Sequence, residues 1–464
     1  MLFWVDTVNL IVNDGTGVKR DVRGGVKKKP ACHRRPTVDF GAVITCPPGG
    51  SDGPRGPPGG AGRSSSKKRQ DRRPSAPQSV PIVRTKTSSA PAPAIGIDPP
   101  LITFPHQMRA NRKIRVGSDC SGWASEVHAL RLLGLGSAID HQFACDIIES
   151  SKKIIFNNCR PKIWYDDCLA RNNQHSSTPA VDIYVAGFPC QPYSAAGKNK
   201  GMTDSRADVF SGVLDYIRNR LPTIFVLENV KNLTSKTHKA TFDHIAEQLM
   251  SMTDKAGKYA YSVDWKVFNS QDFGVPQHRE RLYIIGIRQS SIMLGMRRSS
   301  LIGLVDTSRK PAPPLAKFLG ITRLERKGVE ELIKQDIRRF PQTAKRNLSN
   351  AMAEVKRANI DPSRSDIVVD LGNGRRDVVN MVHNHCPTIT RTRGGRDDFY
   401  LISGPGRLTM VDYFKLQGLD PVKLNLDDIP YSALGQLAGN AMTIPVLAAV
   451  LRAALLFTGL AYDI

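Results

Sequence analysis

The sequence has few of the features that mark secreted, membrane or metal-binding proteins. Its 464 residues include only 8 cysteines, with no Cys-x-x-Cys pair and no regular spacing, which argues against a disulfide scaffold or a zinc ribbon. No apolar run approaches the ~18 to 20 residues of a membrane span, and the mildly apolar start lacks the basic segment of a signal peptide. We therefore expect a protein of a reducing compartment that uses neither a membrane nor a metal.

Acidic residues are also scarce, with 42 Asp and Glu against 66 Lys and Arg and a formal charge of +24. Residues 1–110 hold 18 Lys and Arg against 7 Asp and Glu, and residues 288–410 hold 23 against 12, a net +11 in each. Clustered positive charge is typical of surfaces that meet phosphates, although a solvated surface gives the same count. We predict that these two regions contact nucleic acid.

The N-terminal segment, residues 1–105, is rich in Pro, Gly, Ser and Arg. Such a composition cannot bury enough apolar area to offset the entropy of ordering it, so we predict a disordered basic arm. Within it, the basic cluster from Lys67 to Arg73 resembles a nuclear import signal. The predicted location is the nucleus if the source is eukaryotic, and otherwise the cytoplasm or nucleoid.

Strand and helix signals alternate over residues 112–288, which predicts an α/β fold with a largely parallel, Rossmann-like sheet and helices on both faces. Residues 289–405 are basic and irregular and break this rhythm, which indicates a smaller inserted domain. The alternating pattern returns over residues 406–464 and ends in an apolar helix. The chain is thus predicted to fold as one sheet domain interrupted by an insertion.

Chemistry-bearing residues follow the predicted strands. Cys190 comes after an apolar strand and a Gly/Pro turn, and Glu228 comes directly after another strand. A third segment carries Arg279 and Arg281. Open α/β sheets place their chemistry at the carboxyl ends of the strands. A thiol nucleophile, a carboxylic acid and two guanidiniums suit covalent attack on a cytosine ring.

Four motifs carry a resemblance to a known family. They are Gly187-Phe-Pro-Cys-Gln-Pro-Tyr-Ser194, Glu228-Asn229-Val230, Gln277-His-Arg-Glu-Arg281 and Gly439-Asn440. In this order they are similar to the motifs of the C5-cytosine-specific DNA methyltransferases, over about Arg112 to Leu456. The resemblance implies an S-adenosylmethionine-dependent methyltransferase domain at residues 112–288 and a target-recognition domain at residues 289–405.

The resemblance also implies a DNA (cytosine-5) methyltransferase reaction. Cys190 would add to C6 of a flipped-out cytosine, because C5 takes a methyl group only after such an attack. Glu228 would protonate N3 or share a proton with it. Arg279 and Arg281 would steady Glu228, the nucleophile loop and the base O2.

The implied methyl donor, S-adenosylmethionine, would bind where the first strand meets its helix. The family pattern is Asp-Leu/Phe-Phe-x-Gly-x-Gly-Gly, whereas this chain has Ser118-Asp-Cys-Ser-Gly-Trp-Ala-Ser125. One glycine remains, and cysteine replaces an aromatic residue that packs on adenine. Asp146 would bind the ribose hydroxyls and Asp167 the adenine. The donor contacts carried over are Cys120, Gly122, Asp146, Ile147, Asp167, Val209 and Asn440.

The implied substrate is double-stranded DNA, bound by a monomer. The basic insertion would face the groove, with Thr388-Ile-Thr390 resembling the end of the recognition region. The predicted DNA contacts are Ser194, Gln277, Arg391, Arg393 and Arg396.

Two alternatives remain open from the sequence. One is a tRNA cytosine-C5 methyltransferase of the same fold, against which stand the continuation Ser194-Ala-Ala-Gly197 and the large basic insertion. The other is a catalytically impaired DNA-binding homologue, suggested by the altered glycine motif.

Overall fold

The computed structural model describes residues 104, 106–189, 208–296, 298–376 and 378–464. The predicted basic arm lies outside the described residues, so its disorder and its import signal stay predictions.

A seven-stranded sheet forms the centre of the described structure. The first strand, β1 (Met108–Ala110), pairs instead with the last, β13 (Ala461–Asp463). The sheet strands are β2 (Ile114–Asp119), β3 (Ile139–Cys145), β4 (Ile163–Tyr165), β5 (Ile183–Ala186), β6 (Ile224–Val230), β7 (Tyr261–Asn269) and β8 (Glu280–Arg288). Their order is β4-β3-β2-β5-β6-β8-β7. Strands β2 to β6 are parallel, and β8 lies antiparallel between β6 and β7, so the predicted largely parallel sheet has a mixed edge.

The inner strands are apolar on both sides because helices cover both faces of the sheet. Along β5, Ile183 and Val185 belong to one core, whereas Tyr184 and Ala186 belong to the other. The first core includes side chains of α1 (Ser125–Leu132), α2 (Glu149–Asn158) and α12 (Ile444–Thr458). The second includes side chains of α3 (Asp208–Arg220) and α4 (Lys239–Met250). This alternation confirms the Rossmann-like α/β fold predicted from the sequence.

A second sheet, antiparallel in the order β10-β9-β11-β12, follows in the chain. Its strands are β9 (Ile367–Asp370), β10 (Met381–His383), β11 (Phe399–Leu401) and β12 (Gly406–Arg407). Helices α7 (Arg326–Arg339) and α8 (Gln342–Arg357) share a separate core with it. Because β12 pairs with β11, this sheet extends past residue 405, where the sequence suggested that the insertion ends.

The start of the predicted insertion also differs. Helix α5 (Arg298–Asp306) packs against α12 and β7, and Leu301 and Val305 lie in the first core of the main sheet. The next helix, α6 (Leu315–Leu319), contributes to the same core. These apolar helices lie inside a basic stretch, so average composition did not distinguish them from the insertion.

One short helix lies between β10 and β11 of the second sheet, and two more follow β12. They are α9 (Arg391–Gly394), α10 (Met410–Lys415) and α11 (Tyr431–Asn440). Helices α9 and α11 meet backbone to backbone, because a Cβ added to Gly435 would lie 2.0 Å from the carbonyl oxygen of Gly394. Glycine is therefore required on both sides of this contact.

Among the described helices, no single one has the length and apolarity of a membrane span, although the bent pair α11 and α12 reaches both limits together.

Candidate active site

The carboxyl ends of β5 and β6 bring two of the motifs together. The strands are parallel with Ala186 opposite Leu227, so Gly187 and Glu228 follow at the same level. A Cβ added to Gly187 would lie 3.8 Å from Oε2 of Glu228 and 3.0 Å from Cε of Met442. The absence of a side chain at Gly187 thus lets the acid and the segment after Gly439-Asn440 approach the start of the nucleophile loop.

The predicted nucleophile itself, Cys190, lies outside the described residues, as does Ser194. The chain is described up to Pro189, and Asn229 contacts it just before that point. The Asn229 side chain is 1% exposed, and its Nδ2 donates a long hydrogen bond of 3.5 Å to the carbonyl of Phe188. Its Oδ1 accepts from the amide of Val230 at 2.8 Å. Asn229 therefore links the acid motif to the backbone two residues before Cys190.

Glu228 is a buried carboxyl group beside two guanidiniums. The residue is 8% exposed, and Nε of Arg281 lies 3.2 Å from its Oε1. Burial raises the pKa of Glu228, and the positive charges of Arg281 and then Arg279 oppose that rise. The balance favours a carboxyl group that keeps its proton to a higher pH than a solvated glutamate, which suits the acid role predicted for it.

The two Nη atoms of Arg279 donate hydrogen bonds to backbone carbonyls. Its Nη1 donates to the carbonyl of Ile389 at 2.7 Å, and its Nη2 donates to those of Ala441 at 2.7 Å and Gly439 at 3.3 Å. The residue is 2% exposed. Arg279 thus ties the start of β8 to the segment between β10 and β11 and to the Gly-Asn motif, while its charge still acts on Glu228.

The prediction that Gln277 contacts DNA is wrong. Gln277 is fully buried, its Nε2 donates to the carbonyl of Leu416 at 2.8 Å, and its Oε1 accepts from the amide of Ile389 at 3.1 Å. Both ends of the side-chain amide are used inside the protein, so the residue has a structural role.

The three predicted DNA-contacting arginines have different surroundings. Arg393 is half-buried and pairs with Asp370 at 2.9 Å and with Asp398 at 3.5 Å. Arg391 is exposed, with its Nε donating to Gln436 at 3.1 Å. Arg396 is also exposed. Arg393 therefore stabilises the second sheet, and Arg391 and Arg396 keep the exposure that a DNA contact requires.

The predicted donor site has its loop and its acid in contact. The amide of Gly122 donates to Oδ2 of Asp146 at 2.8 Å, and the amide of Ile148 donates to Oδ1 at 2.9 Å. A Cβ on Gly122 would meet nothing within 4 Å, and Ile147 beside the acid is 83% exposed. An open loop, a carboxylate acceptor and an exposed apolar side chain fit the ribose and adenine of S-adenosylmethionine.

The altered glycine motif keeps an unusual backbone. Cys120, Gly122 and Ala124 have φ values of 52°, 58° and 59°, so two residues with side chains adopt the left-handed region. Such a residue costs roughly 1–2 kcal/mol relative to an ordinary conformation. Burial raises the pKa of Cys120, and the nearby Cys168 and Asp146 add to this rise. Cys120 is therefore a neutral thiol.

The remaining predicted donor contacts are dispersed. Asp167 is exposed, and its Oδ1 accepts from the amide of Leu169 at 2.9 Å. Asp167 lines a cavity of about 500 Å³. Gly122 and Asp146 do not line this cavity, so it is separate from the contact between those two residues. Val209 is half-buried and Asn440 is exposed.

One buried acid next to the predicted donor loop, Cys120 to Ala124, was not identified from the sequence. Glu126 is 2% exposed, and Oγ of Ser118 donates to its Oε1 at 2.7 Å. Burial raises its pKa to about 7. A carboxylate in the first turn of a helix is usually solvated there, where it complements the helix dipole, so the sequence pattern gave no sign of this burial.

In the part of the chain that the structure describes, no group of three or more His, Cys, Asp or Glu side chains could hold a metal ion.

Comparison with known proteins identifies the family. The profile of the C-5 cytosine-specific DNA methylases matches residues 120–455. The Type II methyltransferase M.HaeII of Haemophilus aegyptius is 30% identical over 277 residues, 59% of this chain and 74% of that protein. The Type II methyltransferase M.NgoBI of Neisseria gonorrhoeae is 30% identical over 279 residues, with the same coverage of both proteins.

Among solved structures, that of the S. pombe Dnmt2 methyltransferase covers 74% of this chain and 98% of its own, with 16% identity and a TM-score of 0.47. The family profile spans well over half of the chain, and it includes the elements that carry Gly187, Glu228, Arg281 and Asn440. The chain therefore belongs to the C-5 cytosine-specific DNA methylase family.

Proposed function

We propose that the protein methylates C5 of cytosine in double-stranded DNA, with S-adenosylmethionine as donor and Cys190 as covalent nucleophile. Family membership supports DNA cytosine-5 methylation. The main support for the covalent step is the approach of Glu228 to Gly187, which lies at the start of the loop that leads to Cys190. An acid and a nucleophile on one loop junction are what attack on C6 requires.

In this mechanism, each residue of the site has its own role. The Cys190 thiolate attacks C6, and Glu228 gives a proton to N3, so that the electron pair of the broken 5,6 double bond becomes available at C5. Arg281 keeps the Glu228 carboxyl oriented from 3.2 Å away. Asn229 holds the carbonyl of Phe188 and so fixes the approach of the loop.

Donor binding would involve the loop around Gly122 and the carboxylate of Asp146. S-adenosylmethionine, when bound, supplies an electrophilic methyl group. Asp146 is half-buried, and the two amides that it accepts leave further lone pairs on each oxygen for hydroxyl groups. The exposed Ile147 side chain offers an apolar surface to a purine.

Proton balance completes the proposed cycle. After methylation, a base removes the proton from C5, the resulting electron pair restores the 5,6 double bond as the sulfur of Cys190 leaves, and N3 returns its proton to Glu228. Replacing that proton with fluorine blocks the elimination, because fluorine does not leave as a cation. Duplex DNA containing 5-fluorocytosine should therefore trap the protein as a stable adduct.

The trapping experiment uses the full chain, labelled donor, and duplex DNA that carries 5-fluorocytosine within random sequence. We expect a covalent complex whose peptide map places the DNA on Cys190. The variant Cys190→Ala is the control, and it should bind DNA without forming an adduct. Absence of an adduct while the donor is bound would overturn the covalent mechanism.

Substrate class is tested in parallel with the same labelled donor. Ordinary duplex DNA and tRNA are offered separately, and we expect label on DNA. Label on tRNA alone would overturn the DNA assignment, and donor-independent DNA binding without any transfer would favour an impaired homologue.

A further inference from the structure

A fully buried ion pair lies directly beneath the donor loop and takes no part in the proposed reaction. Nη1 and Nη2 of Arg171 lie 2.7 Å from Oδ1 and Oδ2 of Asp119, and the two side chains are 1% and 0% exposed. The hydroxyl of Tyr184 donates to Oδ2 of Asp119 at 2.6 Å, and Nε of Arg171 donates to Asn173 at 2.7 Å. Both charged groups thus have well-defined partners.

Three aromatic rings enclose the guanidinium of Arg171. Its central carbon lies 4.9 Å from the ring centre of Phe143, 5.0 Å from that of Tyr165 and 4.8 Å from that of Tyr216. Rings at this distance attract a cation and fix its plane. The guanidinium is therefore held in position from its faces as well as from its edge.

Stability alone does not explain this arrangement. Replacing a buried ion pair by apolar residues of similar volume is often neutral or stabilising, because two charges must be desolvated to form the pair. The aromatic surroundings of Arg171 would accept such an apolar side chain. The position of the pair suggests a different role.

The pair joins two segments that carry predicted donor contacts. Asp119 is the last residue of β2 and directly precedes the loop from Cys120 to Ala124. Arg171 lies four residues after Asp167, on the segment that follows β4. Because Cys120 and Ala124 hold a costly left-handed backbone, the loop needs restraint from its base, and Asp119 is the residue at that base.

We propose that Arg171 is a positioning residue for the methyl donor: by fixing Asp119 it keeps the loop from Cys120 to Ala124 in the conformation that receives the donor. This inference rests on the proposed function, since it assumes a donor at that loop. It predicts that loss of the pair weakens the affinity for the donor much more than it slows the chemical step.

The test removes both charges and the Tyr184 hydroxyl together, so that no charge is left buried without its partner, although the side-chain oxygen of Asn173 loses its donor from Nε of Arg171. The triple variant Arg171→Met, Asp119→Leu and Tyr184→Phe replaces the buried network by apolar side chains of similar size. We expect it to fold, with a KM for S-adenosylmethionine raised about tenfold or more and a kcat at saturating donor changed by less than about threefold. A folded variant with an unchanged KM would overturn the proposal.

A second readout needs no activity. Hydrogen exchange of the donor-free chain should show faster exchange at residues 120–124 in the triple variant than in the wild type. Calorimetry with S-adenosylhomocysteine measures affinity directly. No binding by the wild type would overturn the donor site and this inference with it, whereas equal binding by wild type and variant would overturn this inference alone.

The control is an ion pair whose carboxylate is buried but whose arginine is half-exposed, at the amino ends of the strands of the same sheet. Asp182 precedes β5, is 1% exposed, and accepts 2.9 Å bonds from both Nη atoms of Arg112. Asp182→Asn should lower stability but leave both the donor KM and the exchange at residues 120–124 unchanged. An equal rise in KM in this control would mean that any loss of stability weakens donor binding, which would overturn a specific role.

If the triple variant does not fold, the variant Arg171→Lys tests the proposal instead. Lysine keeps the charge but loses the planar two-pronged contact with Asp119. We expect a folded protein with a donor KM raised by about threefold or more, and an unchanged KM would overturn the proposal.

Discussion

Nε of Arg281 lies 3.2 Å from Oε1 of Glu228, with the two side chains 15% and 10% exposed. The residues sit on neighbouring antiparallel strands, where Val230 faces Arg281 and Glu228 faces Tyr283, so they are diagonal neighbours on one face of the sheet. The strand register therefore sets the distance between the proposed acid and its cation. That register links the protonation of Glu228 to the presence of Arg281.

The pH dependence of methylation follows from this pair. The pKa of Glu228 is raised by burial, and Arg281 opposes the rise. An acid with a raised pKa is active below that pKa, and its activity is lost as pH rises through it. Removing the cation in Arg281→Met should raise the pKa further, shifting the alkaline limb of the pH–rate profile to higher pH while lowering kcat.

The control for this prediction is Arg326→Met, which removes an exposed pair with Glu330 on α7. Its profile should coincide with that of the wild type. An alkaline limb that stays in place or moves to lower pH in Arg281→Met would show that Glu228 does not govern it.

The contact between Asn229 and the carbonyl of Phe188 leads to a second prediction. Asn229→Asp replaces the donor amide by an acceptor that repels the carbonyl. We expect kcat to fall about tenfold to a hundredfold, with DNA and donor affinities unchanged, because the loop loses its alignment rather than its ligands. Single-turnover methylation and filter binding measure the two quantities, and a loss confined to affinity would contradict the alignment role.

Glu126 makes stability depend on pH. Its pKa rises from an ordinary 4.5 to about 7 in the folded protein, so the stability it contributes is present below pH 4.5 and is lost as pH rises through about 7. Glu126→Gln keeps an acceptor for Ser118 without a charge. We expect the variant to be more stable than the wild type by up to about 3 kcal/mol at pH 8 and nearly equal below pH 4.5.

Urea denaturation from pH 4 to 8 checks this difference, since contributions from other groups cancel between the two proteins. A constant difference across that range would contradict the assigned burial of Glu126.

The close approach of α9 and α11 predicts a strong effect of one methyl group. A Cβ on Gly435 would lie 2.0 Å from the carbonyl oxygen of Gly394, so Gly435→Ala should cost about 1–3 kcal/mol of stability. The matched control is Gly303→Ala in α5, where the added Cβ meets nothing within 4 Å. That change should stabilise by up to about 1 kcal/mol, and equal melting shifts in both variants would contradict the packing.

The basic arm is predicted to add affinity rather than catalysis. Deleting residues 1–105 should leave kcat unchanged and weaken non-specific DNA binding, most strongly at low salt, because phosphate contacts release counterions. Binding titrations at about 50 and 200 mM salt measure the slope of affinity against salt. An unchanged slope would show that the arm does not meet the phosphates.

Local sequence determined much of the fold and the order of the candidate catalytic groups. The apolar run Ile183–Ala186 followed by glycine and proline identified a buried strand, and Glu228 was predicted to follow the next strand directly, whereas that strand continues to Val230. These signals are local because alternation and turn residues act within a few positions. The pairing of β8 between β6 and β7 did not follow, since strand order depends on contacts between distant segments.

Only the tertiary structure decided which polar residues are used inside the protein. Gln277 and Arg279 belong to one motif, and the sequence gives no reason to expect that either is buried. In the structure, the side-chain amide of Gln277 bonds the backbone of Leu416 and Ile389, and Arg279 binds three carbonyls. Asp119 and Arg171 are 52 positions apart, and nothing in the sequence around either one indicates their bidentate contact. The reason is physical: burial and pairing of a charge are set by what folds around it, and the sequence pattern records only its immediate neighbours.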